Sequence, residues 1–138
     1  MVITEGLQGL RVGDVMSPDY PTVEAYTNLN TFAEEHLMRT GRRFFVVLLN
    51  GSPEGIITPN EISPVPQPQW SYKTVADVMR PLEGTQTVGP NTPIVEALEM
   101  MAHQDLNQLP VIKEGRLAGL ISRAHILQLL QTRAQLHL

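Results

Sequence analysis

The 138-residue chain has no cysteine, which removes both a disulfide framework and any thiol nucleophile. A reducing compartment is compatible with that absence. No apolar run approaches the roughly 20 residues that a bilayer-spanning helix needs, and the amino terminus lacks the pattern of a secretory signal. The chain is therefore expected to be soluble, with a cytoplasmic location. Basic charge is scarce too: 10 Lys and Arg face 14 Asp and Glu, for a net charge of −4. Nucleic-acid affinity rests on Lys and Arg neutralising phosphates, so no nucleic-acid partner is expected. Catalytic patterns are also missing. No nucleophile stands with a base, no glycine-rich phosphate loop is visible, and His36, His103, His125 and His137 lack the spacing of a His-Glu-x-x-His zinc motif. No catalytic residue, no metal ligand and no required cofactor is assigned.

What the chain does have is a repeat. Val12-Gly13-Asp14-Val15-Met16 returns as Val75-Ala76-Asp77-Val78-Met79, each followed one residue later by proline. Val12 and Val75 are 75 − 12 = 63 positions apart, and Pro18 and Pro81 keep that offset. Gly55-Ile56-Ile57-Thr58 then matches Gly119-Leu120-Ile121-Ser122 at 119 − 55 = 64. The drift falls where loops are expected, because surface connections tolerate insertion. Two copies of one folding unit follow, over 10–66 and 74–131, joined by a linker over 67–73 that continues the proline-rich stretch Pro64 to Gln69.

Within the second copy, Ile94, Ala97, Leu98, Met101 and Ala102 recur at helical spacing, with Thr92 as the predicted N-cap and Pro93 at the first helical position. Leu109 to Ile112, a Lys113-Glu114-Gly115 turn and Leu117 to Ile121 read as a strand hairpin, after which Ser122 caps a second helix carrying Ile126, Leu127, Leu129 and Leu130. The first copy matches. Phe32, Ala33 and Leu37 mark a helix ended by Gly41, and Phe44 to Leu49 is apolar enough to be buried on both faces. Asn50 to Pro53 is the predicted turn, Gly55 to Thr58 the next strand, and a helix beginning at Thr58-Pro59 is stopped by Pro64, Pro66 and Pro68. Trp70 and Tyr72 are expected to pack the linker down. Met16, Met79, Met100 and Met101 read as core or interface fillers, and Asp14 and Asp77 as caps of a turn or helix.

A lead-in bearing Val-x-Asp-Val-Met, expected to be extended, then helix, strand, strand and a closing Gly-hydrophobic-hydrophobic-Thr/Ser, in two tandem copies from Leu10 to Leu130, closely resembles the cystathionine-β-synthase (CBS) domain pair. The resemblance implies an α/β (α+β) fold of two tandem β-α-β-β-α repeats packed about a pseudo-twofold axis. It also implies two clefts that take adenosine-containing ligands: AMP, ADP, ATP or S-adenosylmethionine. A finer resemblance, carried by Thr74 to Pro81, Asp105 to Val111 and Ser122-Arg123, is to the carboxy-terminal CBS pair of membrane-embedded site-2-protease-type (M50) zinc metallopeptidases. That would make the chain the cytoplasmic regulatory part of a membrane protein.

In ligand-binding CBS domains the Thr or Ser after the second strand opens a helix whose amino end favours a phosphate, and an Asp three residues on takes the ribose hydroxyls. The resemblance puts Thr58 and Ser122 at the phosphate position and Glu61 and His125 at the ribose position. Neutral histidine offers one acceptor and charged histidine none, so a ribose would lose a partner at His125. Arg123 could neutralise a phosphate, whereas its counterpart Pro59 could not. Arg42 and Arg43 could supply charge to the first cleft, where the second has Asn107 and Gln108. All of these residues also have plain readings, Thr58 and Ser122 as helix caps and the arginines as solvated ends. The first expectation is thus a non-catalytic sensor of an adenine nucleotide acting on an attached or partner protein. The second is a ligand-independent homodimerisation module, its apolar helix faces uncovered in one pair.

Overall fold

The computed structural model describes residues 8–82 and 87–138. In chain order the elements are α1 (Val12–Val15), β1 (Thr22–Glu24), α2 (Leu29–Thr31, widening into a π-helix over Phe32–Met38), β2 (Phe45–Leu49), β3 (Ser52–Ile57) and α3 (Pro59–Ile62). A 3₁₀ turn at Gln67–Gln69 follows, then α4 (Val75–Val78), β4 (Arg80–Pro81), α5 (Ile94–Gln104), β5 (Gln108–Lys113), β6 (Arg116–Ser122) and α6 (Arg123–Gln135). They form two compact units. One is the continuous segment Tyr20–Leu82; the other joins the stretch ending at Asp19 to the chain beyond residue 82. Neither unit coincides with a sequence repeat, because each contains the body of one repeat and the lead-in of the other. No helix among the described residues is long and apolar enough to cross a membrane.

The Tyr20–Leu82 unit is built on a four-stranded sheet in the order β1-β2-β3-β4. β1 runs parallel to β2 with Val23 opposite Val47, and the remaining pairs are antiparallel. A parallel neighbour demands a crossover, and α2 supplies it. Asn28 starts that helix, its Oδ1 accepting the Thr31 N–H at 2.8 Å. Val23, Leu29, Phe32, Phe45, Val47, Ile57, Ile62 and Val75 close the core, with Phe32 and Phe45 edge to face at 5.2 Å. Gly41 ends the helix at φ +73 as expected. Its π geometry, with the Arg39 N–H donating to the Glu34 carbonyl five residues back, was not readable from spacing.

Two expectations about this unit need correcting. The turn is only Asn50-Gly51, at φ 53 and 83, and Ser52 and Pro53 already belong to β3. Proline fits there because it lies beside a register shift between Val47 and Leu48, where the ladder is interrupted anyway. Trp70 does pack the linker, its Nε1 donating to the Val65 carbonyl at 2.9 Å, but Tyr72 is 68% exposed and packs nothing down. Burial of the apolar strand on both faces holds from Phe44 to Val47 and relaxes to half-buried at Leu48 and Leu49.

The other unit repeats the sheet in reduced form. β5 and β6 make the hairpin, Val88 bridges Val111 in parallel, and Ser17 bridges Leu120 antiparallel, which is the same four-strand order with single-residue edges. Pro93, expected inside α5, is its N-cap instead, with the Ala97 N–H donating to its carbonyl at 3.1 Å. Thr92 closes the preceding turn, its Oγ1 accepting the Gly89 N–H at 3.0 Å. α5 ends on Asp105 in the left-handed region.

The lead-ins are not extended as expected. Each is one helical turn, since Val12 and Val15, or Val75 and Val78, fall on the same helix face and turn toward a core. The aspartate three residues past the cap position closes the turn. Asp14 accepts the Arg11 N–H at 2.9 Å, and Asp77 accepts the Thr74 N–H at 2.8 Å and the Thr74 hydroxyl at 3.1 Å. After the turn, each lead-in crosses the glycine of a Gly-hydrophobic-hydrophobic-Thr/Ser segment. A Cβ at Gly55 would stand 2.6 Å from the Met79 sulfur and 2.7 Å from the Arg80 carbonyl; one at Gly119 would stand 2.5 Å from the Ser17 carbonyl. The repeated glycine is the gap through which the other repeat's lead-in passes.

Candidate ligand-binding site

Both hairpins deliver the same local arrangement. Phe45 pairs with Ile57 at the last rung of β2-β3, so the backbone just beyond it sets Arg43 and Phe44 beside Thr58 at the start of α3. In the other unit Gln108 pairs with Ser122 directly, and the Arg123 N–H donates to the Asn107 carbonyl at 2.9 Å. The residues expected to hold a phosphate thus share a sheet end with the residues before the central strand, in each unit separately. Arg42 and Arg43 are exposed there, and the Arg42 N–H donates to the Thr40 Oγ1 at 3.0 Å.

The two helix starts differ in what they leave open. At α3, Thr58 and Glu61 form a closed capping box: the Thr58 N–H and hydroxyl donate to one Glu61 carboxylate oxygen at 2.7 and 2.8 Å, and the Asn60 N–H donates to Thr58 Oγ1 at 3.1 Å. The carboxylate that the resemblance assigns to a ribose is engaged in its own helix. Pro59 has no N–H to offer, and α3 is only 4 residues long, so its dipole is small.

At α6 the helix runs 13 residues and has no acidic residue in its first turn. Ser122 Oγ accepts the His125 N–H at 3.0 Å, while the Arg123 N–H is taken by Asn107. Of the first three helical N–H groups, only that of Ala124 has no partner among the described residues. Arg123 and His125, its neighbours in sequence, are exposed. Arg123 also borders a cavity of about 380 Å³ between α5 and α6, lined by Leu98, Met101, Ala102, Leu106 and Leu127, with Asp105 and Asn107 at its polar edge. Neither Ser122 nor His125 lines it, so the three expected site residues of this unit are split between two faces. The sequence offered a partial signal for this cavity: residues 98, 101, 102 and 105 are one helical face. What it did not offer was the left-handed turn at Asp105 that brings Leu106 and Asn107 round to the same side.

Comparison with known proteins adds a family to this geometry. The CBS domain family matches residues 12–64 and again 75–132. "Putative zinc metalloprotease sll0528" of Synechocystis sp. is 27% identical over 135 residues, covering 96% of this chain and 36% of that protein. The chain therefore spans about a third of the length of the curated relative. A conserved protein of Pyrococcus horikoshii superposes with a TM-score of 0.77 at 25% identity, over 91% of this chain and 56% of the other. The structure of CBSX2 in complex with AMP superposes at 0.76 and 20% identity, over 90% and 98%. With the family matched in both repeats and the sheet order repeated in both units, the chain belongs to the CBS domain family, as a tandem pair of the regulatory and non-catalytic kind.

Proposed function

We propose that this CBS pair senses an adenine nucleotide and passes the binding to an attached metallopeptidase domain on the cytoplasmic side of a membrane. The observation that carries the reading is the start of α6: a long helix with no first-turn acid, an Ala124 N–H without a partner among the described residues, and exposed Arg123 and His125 on either side of it in sequence. A phosphate there gains from the helix dipole and from Arg123, whose long exposed side chain can swing from the neighbouring cavity to the helix start. At the start of α3 a ribose must first displace Thr58 from Glu61, with Arg42 and Arg43 as the only nearby basic side chains of the expected set. Binding is accordingly asymmetric, tighter beside Ser122. The AMP held by CBSX2 and the metalloprotease name of the Synechocystis relative support this choice of ligand class and effector.

Isothermal titration with AMP, ADP, ATP and S-adenosylmethionine tests the proposal, and no heat at millimolar ligand ends it. Arg123→Ala should weaken nucleotide binding about tenfold, the worth of one charged hydrogen bond, while Glu61→Gln should leave the tighter site unchanged. A second reading, homodimerisation without ligand, is favoured by Leu127, which is 40% exposed and lines the cavity between α5 and α6. Sedimentation at several concentrations decides it; a monomer throughout removes it.

A further inference from the structure

We infer that Asn50 is a self-modifying position, at which the side-chain amide is lost spontaneously to give aspartate and isoaspartate. Asn50-Gly51 is the single Asn-Gly step in the chain; the other asparagines, Asn28, Asn30, Asn60, Asn91 and Asn107, are followed by Leu, Thr, Glu, Thr and Gln. It forms the whole of the two-residue turn between β2 and β3, with Leu49 and Ser52 as the closing rung, and both turn residues are exposed. The Gly51 N–H therefore lies outside the ladder. Gly51 is exposed and a Cβ built on it would meet nothing within 4 Å, so no other segment packs over the tip on that side. Hairpin tips open at low free-energy cost, which lets the turn sample the geometry the reaction needs.

The step balances with water alone. Base removes the Gly51 amide proton, and that nitrogen attacks the Asn50 Cγ. The new N–Cγ bond closes a five-membered imide as the Cγ–Nδ2 bond breaks and ammonia leaves. Water then opens the imide at one carbonyl to give aspartate or at the other to give isoaspartate. The second hairpin indicates what the aspartate product does to the fold. Its turn is Glu114-Gly115, at φ 52 and 76, the same conformation with a carboxylate already in the first position. Aspartate at residue 50 makes the two hairpin tips alike in charge. Isoaspartate inserts a methylene into the main chain at the tip instead, which spoils the Leu49–Ser52 rung.

The test is to age the intact protein at neutral and at mildly alkaline pH, then map its peptides by mass and fragmentation. The expected result is that Asn50 exchanges its NH₂ for oxygen first and faster at the higher pH. It should give two isomeric products, while the other five asparagines lag. Gly51→Ala should slow the exchange several-fold, and Asn50→Asp should keep the wild-type circular dichroism. An Asn50 amide that survives as long as those of Asn28 and Asn107 overturns the inference, as does equal conversion in the Gly51→Ala protein.

Discussion

His36 illustrates how a single residue can be out of step with its surroundings. Its ring lies 5.6 Å from that of Phe32 and 5.7 Å from that of Phe45, and its Nδ1 is buried with no hydrogen-bond partner among the described residues. An unpaired buried polar atom costs stability, whereas a phenyl ring in the same place keeps the aromatic contacts. His36→Phe should therefore raise stability by about 1 kcal/mol in denaturant unfolding; a loss would mean that the imidazole serves another purpose. Asp77 is the opposite case. The Thr74 N–H, and after it the Thr74 hydroxyl, hold its carboxyl below the ordinary value of 3.8, with Lys73 adding a weaker pull the same way. A depressed folded-state value means stabilisation that is present above the unfolded value and lost as pH falls through the folded one. Asp77→Asn should lower the melting temperature at neutral pH, with the gap to wild type closing below pH 3.8; a gap independent of pH would refute the assignment. Asp77 was legible as a cap because it serves residues next to it. The setting of His36 was not legible, since it is made in part by Phe45 on β2.

Among the elements, the lead-ins depart furthest from their sequence reading. Five residues are too short a pattern to name a helix by periodicity, and packing against the other repeat's body fixes the single turn. The glycine they cross was legible as a repeated letter but not as a gap. Gly55→Ala and Gly119→Ala should each cost about 2 kcal/mol, the range for forcing a methyl into a filled site. Gly119→Ala should be the harsher, because its methyl meets the Ser17 backbone, while at Gly55 part of the clash is with the flexible Met79 side chain. Chemical unfolding of both variants checks the order. By contrast, the caps at Thr58 and Ser122 and the breaks at Gly41 and the linker prolines were read correctly, because each depends on neighbours within four residues.

On the scale of the molecule, what matters is that the compact units and the sequence repeats divide the chain differently. Val75 lies at the centre of the Tyr20–Leu82 core and Met79 packs beside it, yet both belong to the second repeat by sequence. A fragment spanning 20–82 should fold and melt cooperatively, whereas one spanning 10–66, cut at the repeat boundary, should not. Circular dichroism melts and amide dispersion in NMR spectra of the two fragments decide the matter; cooperative folding of the shorter repeat fragment would contradict it.

The duplication, the two hairpins and the helix caps at Thr58 and Ser122 were determined by sequence, since each follows from patterns a few residues long. Only the tertiary structure decided that each lead-in completes the other repeat's sheet and that the α2 helix widens. Only it decided that the Glu61 carboxylate is tied to Thr58 while the start of α6 stays open. Those outcomes turn on which distant segments meet and on how a side chain divides itself between partners, and the spacing of residues along one chain carries no record of either.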